Sequence, residues 1–267
     1  MKFQKALISL FALTLLTSPG TSWASGSDDS TKEVFVWGVS DYPWNCNYSD
    51  LSRVNDLSNE IINTFPSTWT KRKTMDNSVT RSDFLNNVGY GDFVFYLGHG
   101  LKDNYRLHFG ANHPWAEDDS ANNIWRSDLQ LGPWGSTAGG DVDYVNFHTC
   151  NFLRALDWNE RWSILAMMDG THMQLGYGST MWMYPGQMQD YATRLKNGEY
   201  VKDAWVNAAK VYQPKAAPNV DVYAVVTAHK STIYDKMSSG DSNDPPGFLD
   251  ENANEFYLYS YLVASAQ

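Results

Sequence analysis

Short apolar runs recur along this chain, and most of them are rich in β-branched and aromatic residues. The runs at 33–39 (EVFVWGV) and 92–97 (DFVFYL) are typical of strands, and the second is continuous enough for a strand buried on both faces. Five more segments are predicted as strands, at 68–75, 141–148, 172–177, 221–227 and 256–263. The chain therefore has enough strands for one large sheet.

Between these runs, apolar residues recur at helical spacing. A first helix, capped by Ser49 or Asp50, is predicted to carry one apolar face, formed by Leu51, Val54, Leu57, Ile61 and Phe65. Thr80 and Asp83 have capping-box spacing, which predicts a short helix ending near Val88. Three further helices are predicted further along, and two of them end at residues that typically stop a helix.

These three helices cover 158–168, 187–196 and 201–212. Gly198 ends the second helix, because glycine readily adopts the left-handed conformation that follows a helix. Pro214 limits the third helix, because proline cannot continue the hydrogen-bonding pattern. The boundaries are thus set by local signals as well as by periodicity.

The alternation of strands and helices predicts one α/β domain over residues 33–267. Its sheet should be mainly parallel, with helices packed on both faces. The segment 101–140 interrupts this alternation and is rich in Gly, Asn, Asp and Trp. Loops of that length are usually functional or disordered. Four tryptophans in loops favour a packed, ordered insertion: Trp44, Trp115, Trp125 and Trp134.

The first residues have the pattern of an export signal. Lys2 and Lys5 precede an apolar stretch at 6–16, which is too short to span a bilayer as a mature helix. Small residues at the −3 and −1 positions then predict cleavage after Ala24. We therefore expect a secreted or periplasmic protein with a flexible leader at 25–32 and no membrane association after cleavage.

Composition and charge exclude some classes of binding partner for the folded chain. The 267 residues have a formal net charge of −10, and 43% of them are hydrophobic, as in an ordinary folded protein. The acidic charge argues against nucleic acid as a partner and against electrostatic docking on anionic lipid. Only two cysteines are present, Cys46 and Cys150, which excludes a disulfide-stapled scaffold.

Two of the apolar runs end in chemically reactive residues. The run at 92–97 leads into His99 and Gly100, and the run at 141–148 leads into Cys150. If the two strands are neighbours in a parallel sheet, both groups emerge at the same edge. A nearby imidazole activates a thiol and later protonates a leaving amine. The N–H groups of Gly100 and Cys150 can then form an oxyanion hole.

The segments FVFYLGHG and YVNFHTC resemble the caspase, gingipain and clostripain superfamily of cysteine peptidases. LGYGST and GEYVKDAWVNAA resemble an uncharacterised exported bacterial group within it, and the likeness covers 34–212. The resemblance implies a three-layer caspase–haemoglobinase α/β sandwich and a peptide or protein substrate. It makes His99 the general acid/base, Cys150 the nucleophile and Gly100 part of the oxyanion hole, without a catalytic metal. Thr149 stands where the family often has alanine.

Cys150 also has two non-catalytic interpretations. Free cysteine is among the most buried residue types, so Cys150 can be a structural thiol. Alternatively, Cys46 follows the first strand at the same edge, and export favours a Cys46–Cys150 disulfide. A disulfide would remove the nucleophile. The alternative function is then a non-catalytic binding protein on the same fold, whose loop aromatics bind glycan or peptide.

Two acidic residues are candidates for substrate binding. In peptidases that the motifs resemble, an acidic residue near the site selects a basic side chain before the scissile bond. Asp41 and Asp103 are the candidates here, since each follows a predicted strand end; a solvated loop carboxylate is the alternative for both. Cleavage after Arg or Lys would require a charge-assisted pair with such a residue.

Other polar residues are assigned more ordinary roles. The acidic loops at 117–119 and 241–244 can offer oxygen ligands to calcium, although neither has EF-hand spacing. No metal site is predicted from the four residues His99, His148, Cys150 and His172, because they lack the short paired spacing of zinc ligands. His148 is predicted in the core, and His108 and His113 at the surface.

Overall fold

The computed structural model describes residues 31–42, 51–101, 106–109, 123–133, 137, 140–216, 220–238 and 244–265. The predicted signal sequence at 1–24 and most of the predicted leader lie outside these ranges. So do Cys46, Asp103, His113, the acidic loop at 117–119 and residues 241–243 of the second acidic loop. Among the described residues, no helix is both long enough and apolar enough to cross a membrane.

Ten strands are formed by the described residues: β1 (Glu33–Gly38), β2 (Thr70–Met75), β3 (Phe93–Leu97), β4 (His99–Leu101), β5 (Arg106–His108), β6 (Asn123–Trp125), β7 (Tyr144–His148), β8 (Met173–Tyr177), β9 (Val222–His229) and β10 (Phe256–Ala264). Seven of them form one sheet in the order β10-β9-β8-β7-β3-β1-β2. From β2 to β8 all neighbours are parallel, whereas β9 and β10 are added antiparallel. The predicted mainly parallel sheet is confirmed.

Five α-helices accompany the sheet: α1 (Val54–Thr64), α2 (Arg81–Asn87), α3 (Trp158–Leu165), α4 (Gln187–Lys196) and α5 (Val201–Ala216). They cover both faces, because alternate strand residues point in opposite directions. Val34 and Val36 of β1 pack with α1, α4 and α5. Phe35 and Trp37 pack with α2 and α3 on the other face. The predicted three-layer α/β sandwich is therefore the observed architecture.

Two helix ends differ from the prediction. α1 begins after Arg53, without a side-chain cap, rather than after Ser49 or Asp50. The N–H of Leu51 donates to the carbonyl of Ser40, so the chain is still bound to the end of β1 when it reaches residue 51. Most other boundaries agree within three residues.

The prediction that α5 stops before Pro214 is wrong, because the helix continues to Ala216. The preceding residue, Gln213, is buried, and its amide group donates to the carbonyl of Trp182 and to the side chain of Gln187. These bonds hold the end of α5 against α4.

The interrupted region contains a second, smaller sheet that periodicity did not predict. β4, β5 and β6 pair antiparallel in that order, with only three residues in each. Leu107 and Ile124 are fully buried and join the core that contains α2 and α3. Trp44, Trp115 and Trp134 lie outside the described residues, and the described part of the insertion is packed into this core. Trp125 lies in it, against the guanidinium of Arg106.

Candidate active site

The two predicted reactive strand ends are neighbours. β3 and β7 are paired in parallel, and Leu97 lies opposite His148 at the last position of the pairing. His99 follows two residues after Leu97, and Cys150 follows two residues after His148. Both groups therefore leave the sheet at the same edge, beyond the carboxyl ends of parallel strands, where ligands bind in open α/β sheets.

His99 and Cys150 line one open cleft of about 360 Å³. The described walls come from four segments: the turn before α1 and the residues after β3, after β7 and after β8. Most of the wall side chains are apolar or small, and one is cationic; the wall consists of Leu51, Ser52, Arg53, Gly98, Thr180, Met181, Trp182 and Met183. The structure thus brings the predicted imidazole and thiol together in a space open to a ligand.

Gly100 is pressed against the backbone of the cysteine. A Cβ atom added to Gly100 would lie 2.2 Å from the carbonyl oxygen of Cys150 and 2.4 Å from Oγ1 of Thr149. No side chain fits at that separation, so the close approach requires glycine. Thr149 is fully buried in this contact. The three predicted residues His99, Gly100 and Cys150 are therefore assembled at one place.

The thiol of Cys150 is free and partly buried. Its Sγ lies 3.5 Å from the carbonyl oxygen of Met181, to which the S–H donates, and it accepts from the N–H of Met181 at 3.4 Å. Burial raises the pKa of the Cys150 thiol, and the Met181 N–H offsets only part of that effect. The resting group is therefore a protonated thiol held by the backbone of the β8 side of the cleft.

Alkylation of Cys150 should be slow at neutral pH and should accelerate as the pH rises. The thiolate is the reactive form, and the raised pKa keeps its fraction small until the pH exceeds the usual thiol range. We expect the iodoacetamide rate constant to climb about tenfold per pH unit from pH 6 to 8. Mass spectrometry of a Cys46→Ser protein measures this rate at a single thiol. A rate already maximal at pH 7 would contradict the expectation.

Tyr42 positions His99, a role that no sequence motif predicted. Its hydroxyl accepts the backbone N–H of His99 at 2.8 Å, and its ring lies 4.7 Å from the His99 ring. On its other side Tyr42 stacks on His108 at 5.7 Å, and the hydroxyl of Tyr96 donates to the carbonyl oxygen of His108 at 2.5 Å. An aromatic residue just beyond β1, at the predicted ligand edge, was the available signal.

The family of the chain is given by a sequence-family match. A family model described as a domain of unknown function, DUF6345, matches residues 36–259. The chain belongs to the DUF6345 family. No curated protein matches this DUF6345 chain. The match begins within β1 and ends within β10, and it includes both reactive residues of the cleft.

Two of the solved structures similar to this DUF6345 protein are described as cysteine proteases. One is a secreted C11 cysteine protease from Bacteroides thetaiotaomicron in complex with an irreversible peptide inhibitor, with 12% identity, a TM-score of 0.42, and coverage of 74% of this chain and 66% of that chain. Another is the Arg-specific cysteine proteinase gingipain R, with 14% identity, a TM-score of 0.45, and coverage of 72% and 44%.

The DUF6345 chain therefore spans about two thirds of the C11 protease and less than half of gingipain R. At this identity the likeness concerns the fold alone.

The structure does not place the other predicted residues, those for substrate binding and for the disulfide, in the described wall of the cleft. Asp41 is exposed, and its backbone N–H donates to the carboxylate of Asp76 at 3.1 Å. It is not part of the described cleft wall. Asp103 and Cys46 lie outside the described residues. Selection of basic side chains by Asp41 or Asp103 and the Cys46–Cys150 pairing stay predictions.

The histidines of this DUF6345 protein have distinct environments. His148 is fully buried between Tyr177 and Trp205, as predicted for a core residue, and burial lowers its pKa to about 3. His108 is not the surface residue that was predicted. It is partly buried on Tyr42, and burial lowers its pKa although a hydrogen bond with Asn123 opposes this.

Proposed function

We propose that this protein is a cysteine peptidase in which Cys150 is the nucleophile and His99 is the general acid/base. The observation that supports the proposal is the shared cleft: a free thiol and an imidazole line the same open space at the ends of neighbouring parallel strands. This combination is what nucleophilic catalysis of acyl transfer requires. The cleft also has the openness that an extended peptide needs.

The proposed reaction begins with proton transfer. The S–H of Cys150 turns from the Met181 carbonyl towards the imidazole of His99, which takes the proton as Sγ attacks the peptide carbonyl. The C–N bond then breaks, and His99 returns the proton to the departing amine. The acyl group remains on Sγ until water, deprotonated by His99, releases the carboxylic acid and restores the thiol.

The backbone beside the nucleophile supplies the electrostatic part of the proposal. Gly100 lies against the carbonyl group of Cys150, and we propose that the N–H groups of both residues face the reacting carbonyl. Donors aimed at the developing oxyanion stabilise the tetrahedral intermediate more than the substrate. The absence of a side chain at Gly100 is what allows this proximity.

The wall of the cleft favours particular substrate side chains. Leu51, Met181, Trp182 and Met183 supply apolar surface, which suits aliphatic or aromatic side chains next to the scissile bond. Arg53 adds a partly exposed positive charge at the rim, where it also pairs with Asp56. Selection of a basic residue by Asp41 stays part of the proposal as a separate, testable element.

Active-site labelling tests the proposal. Reduced protein is treated with a peptidyl acyloxymethyl-ketone probe and, in parallel, with a fluorogenic peptide library. We expect covalent labelling at Cys150 and peptide cleavage, both lost in Cys150→Ser. His99→Ala should lower the rates of labelling and cleavage by about 10²- to 10⁴-fold, the usual contribution of a general acid/base.

Two controls make this experiment specific. His229→Ala removes a buried imidazole that bonds Ser231 and lies outside the described cleft wall, so the rates should stay close to those of the unchanged protein. Cys46→Ser cannot form the Cys46–Cys150 disulfide. Faster labelling of Cys150 in this variant than in the unchanged protein, both without reductant, would show that the disulfide had blocked Cys150. Labelling that persists unchanged in His99→Ala would refute the dyad.

A non-catalytic binding function is the second candidate, and the state of the thiol favours it. Sγ is engaged by both backbone groups of Met181, and burial raises the pKa of the Cys150 thiol. Such a thiol can simply form part of an apolar peptide-binding wall with Met181 and Trp182. Peptides that bind the unchanged protein and Cys150→Ser equally, without cleavage, would support this candidate.

We also propose that the protein is exported. The proposal rests on the charged start, the apolar stretch at 6–16 and the small residues before the predicted cleavage after Ala24. N-terminal sequencing of protein recovered outside the cytoplasm tests it, with Ser25 as the expected first residue. An export proposal of this kind is independent of the catalytic one.

A further inference from the structure

The edge of the sheet opposite the cleft carries a compact group of ionisable side chains. Asp143 directly precedes β7 and His172 directly precedes β8, and the N–H of Met173 donates to the carbonyl of Asp143. Asp244 reaches the same place from the chain after β9. One ligand atom from each of Asp143, His172 and Asp244 lies within 4.8 Å of the others. β7 is five residues long, so this edge is on the order of 15 Å from the cleft.

The imidazole of His172 is fixed in direction by a fourth residue. Its side chain is 1% exposed, and Nδ1 donates to Oδ2 of Asp235 at 2.7 Å. A carboxylate only accepts, so Nδ1 carries the hydrogen and the neutral ring keeps its lone pair on Nε2. A histidine that binds a metal usually has this arrangement, with a carboxylate on the ring nitrogen that does not bind the metal.

Nε2 points into the space between two carboxylates without forming a hydrogen bond. It lies 3.6 Å from Oδ1 of Asp143 and 3.6 Å from Oδ1 of Asp244, beyond hydrogen-bonding distance. Three acceptor atoms thus face one another in a largely buried place. A buried acceptor such as Nε2 of His172, which lacks a donor, is costly unless a cation lies beside it.

The separations of these atoms suit a small divalent cation. Nitrogen and oxygen ligands about 2.1 Å from a tetrahedral Zn²⁺ stand roughly 3.4 Å apart. The observed 3.6 Å differs little from that value. The competing occupant is a proton: burial opposes it, but the carboxylates of Asp235, Asp244 and Asp143 outweigh burial and raise the pKa of His172 to about 9. A protonated Nε2 would pair with both carboxylates at 3.6 Å, so a proton and a metal ion compete for the same place.

We propose that Asp143, His172 and Asp244 bind a divalent transition-metal ion of the Zn²⁺ class, with Asp235 orienting His172. One imidazole and two carboxylates suit Zn²⁺ better than Ca²⁺ or Mg²⁺, which take oxygen ligands. The two negative charges balance the ion. Asp244 is 28% exposed, which gives the ion a route to the site and leaves space for a water as fourth ligand.

The proposed ion has a structural role. The chain that follows Asp244 is held to the body by the bond from the N–H of Phe248 to the carbonyl of Met168 and by the bridge between Asp169 and Gly247. A shared ion would add a link from Asp244 to the starts of β7 and β8. Because the site lies at the opposite edge from Cys150, metal binding and thiol chemistry are separately measurable.

A second acidic group provides a matched control. Glu33, Asp92 and Asp141 also converge at this edge, at the starts of β1, β3 and β7, but without a histidine. The N–H of Glu33 donates to Asp92 at 2.5 Å, and burial raises the pKa of Asp92 despite that bond. This group can hold protons between its carboxylates, so it does not need a metal.

Calorimetric titration of the chelator-treated full chain with Zn²⁺ tests the proposal. We expect one site of micromolar or tighter affinity and, with Co²⁺, the visible absorption of a four-coordinate ion. Asp244→Asn, at the most exposed ligand, should weaken binding by at least about tenfold, and Asp235→Asn by about 10- to 100-fold. Asp141→Asn should bind as the unchanged protein does.

Several results would overturn the proposal. These are no heat of Zn²⁺ binding in the unchanged protein, unaltered binding in both Asp244→Asn and His172→Gln, or loss of binding in Asp141→Asn. Circular dichroism verifies that each variant is folded, and Asp244→Asn keeps the result interpretable if His172→Gln does not fold. Labelling of Cys150 should be the same in Asp244→Asn as in the unchanged protein.

Discussion

Replacing Gly100 with alanine will destabilise the protein and disable the candidate active site together. The added Cβ would lie 2.2 Å from the carbonyl oxygen of Cys150, and neither backbone can move without displacing the other. Overpacking of this kind costs about 1–3 kcal/mol of unfolding free energy, and backbone contacts fall at the upper end. A displacement of about 1 Å at the nucleophile should slow probe labelling of Cys150 by about 10²-fold.

Urea unfolding and the labelling rate measure the two effects of Gly100→Ala. Gly178→Ala is the matched control, because Gly178 follows β8 at the same edge of the sheet. Its added Cβ would meet a side-chain atom, Cγ2 of Val225, at 3.0 Å, and that side chain can adjust. The control should lose less than about 1 kcal/mol. Equal behaviour of the two variants would mean that the contact at Gly100 is not tight.

His148→Met will protect the protein against acid. His148 is fully buried, neither ring nitrogen has a hydrogen-bond partner, and burial lowers its pKa to about 3. An unfolded chain binds a proton at this histidine below about pH 6.5, whereas the folded chain does not. Stability is therefore lost as the pH falls from 6.5 towards 3, at about 1.4 kcal/mol per pH unit.

Urea unfolding at pH 7.5 and pH 4.5 measures this effect. Methionine has no titrating group, so His148→Met should gain about 2–3 kcal/mol over the unchanged protein at pH 4.5, relative to the difference between them at pH 7.5. Asn146→Leu is the control, because Asn146 is a buried, unpartnered polar residue two positions earlier on the same strand that does not titrate. Its difference from the unchanged protein should be the same at both pH values.

Some features of the fold were predictable because they depend on residues close together in the chain. The run at 92–97 predicts β3, since a short continuous run of apolar β-branched and aromatic residues is typical of a strand covered on both sides. Thr80 accepts the N–H of Asp83, so the capping spacing marked the start of α2 correctly. The positive φ of Gly198 is the property that ends α4.

Other elements were missed because their stability comes from distant residues. β4, β5 and β6 have three residues each, too few for a periodic pattern, and they are held by pairing with one another and by burial of Leu107 and Ile124. The predicted start of α1 was wrong for a similar reason. The hydrogen bond from the N–H of Leu51 to the carbonyl of Ser40 delays the start of the helix, and no short sequence pattern spans both residues.

The residues of the candidate site also include some that local sequence predicted and some that it did not. His99 and Cys150 were recognisable because each directly follows an apolar strand, and parallel strands place such residues at a common edge. Tyr42 was not, because its role is contact with a histidine 57 positions later. The group of Asp143, His172, Asp235 and Asp244 also has no local spacing, since each residue comes from a different strand end or loop.

By itself, the sequence determined the alternation of strands and helices, the mainly parallel sheet and the two reactive strand ends, because periodicity, capping and burial of short runs act within a few residues. Only the tertiary structure decided that the thiol is held by Met181, that Gly100 leaves no space for a side chain, and that Asp235 directs His172 between two carboxylates. Those properties depend on atoms brought together by the folded chain, and local sequence carries no record of such distances.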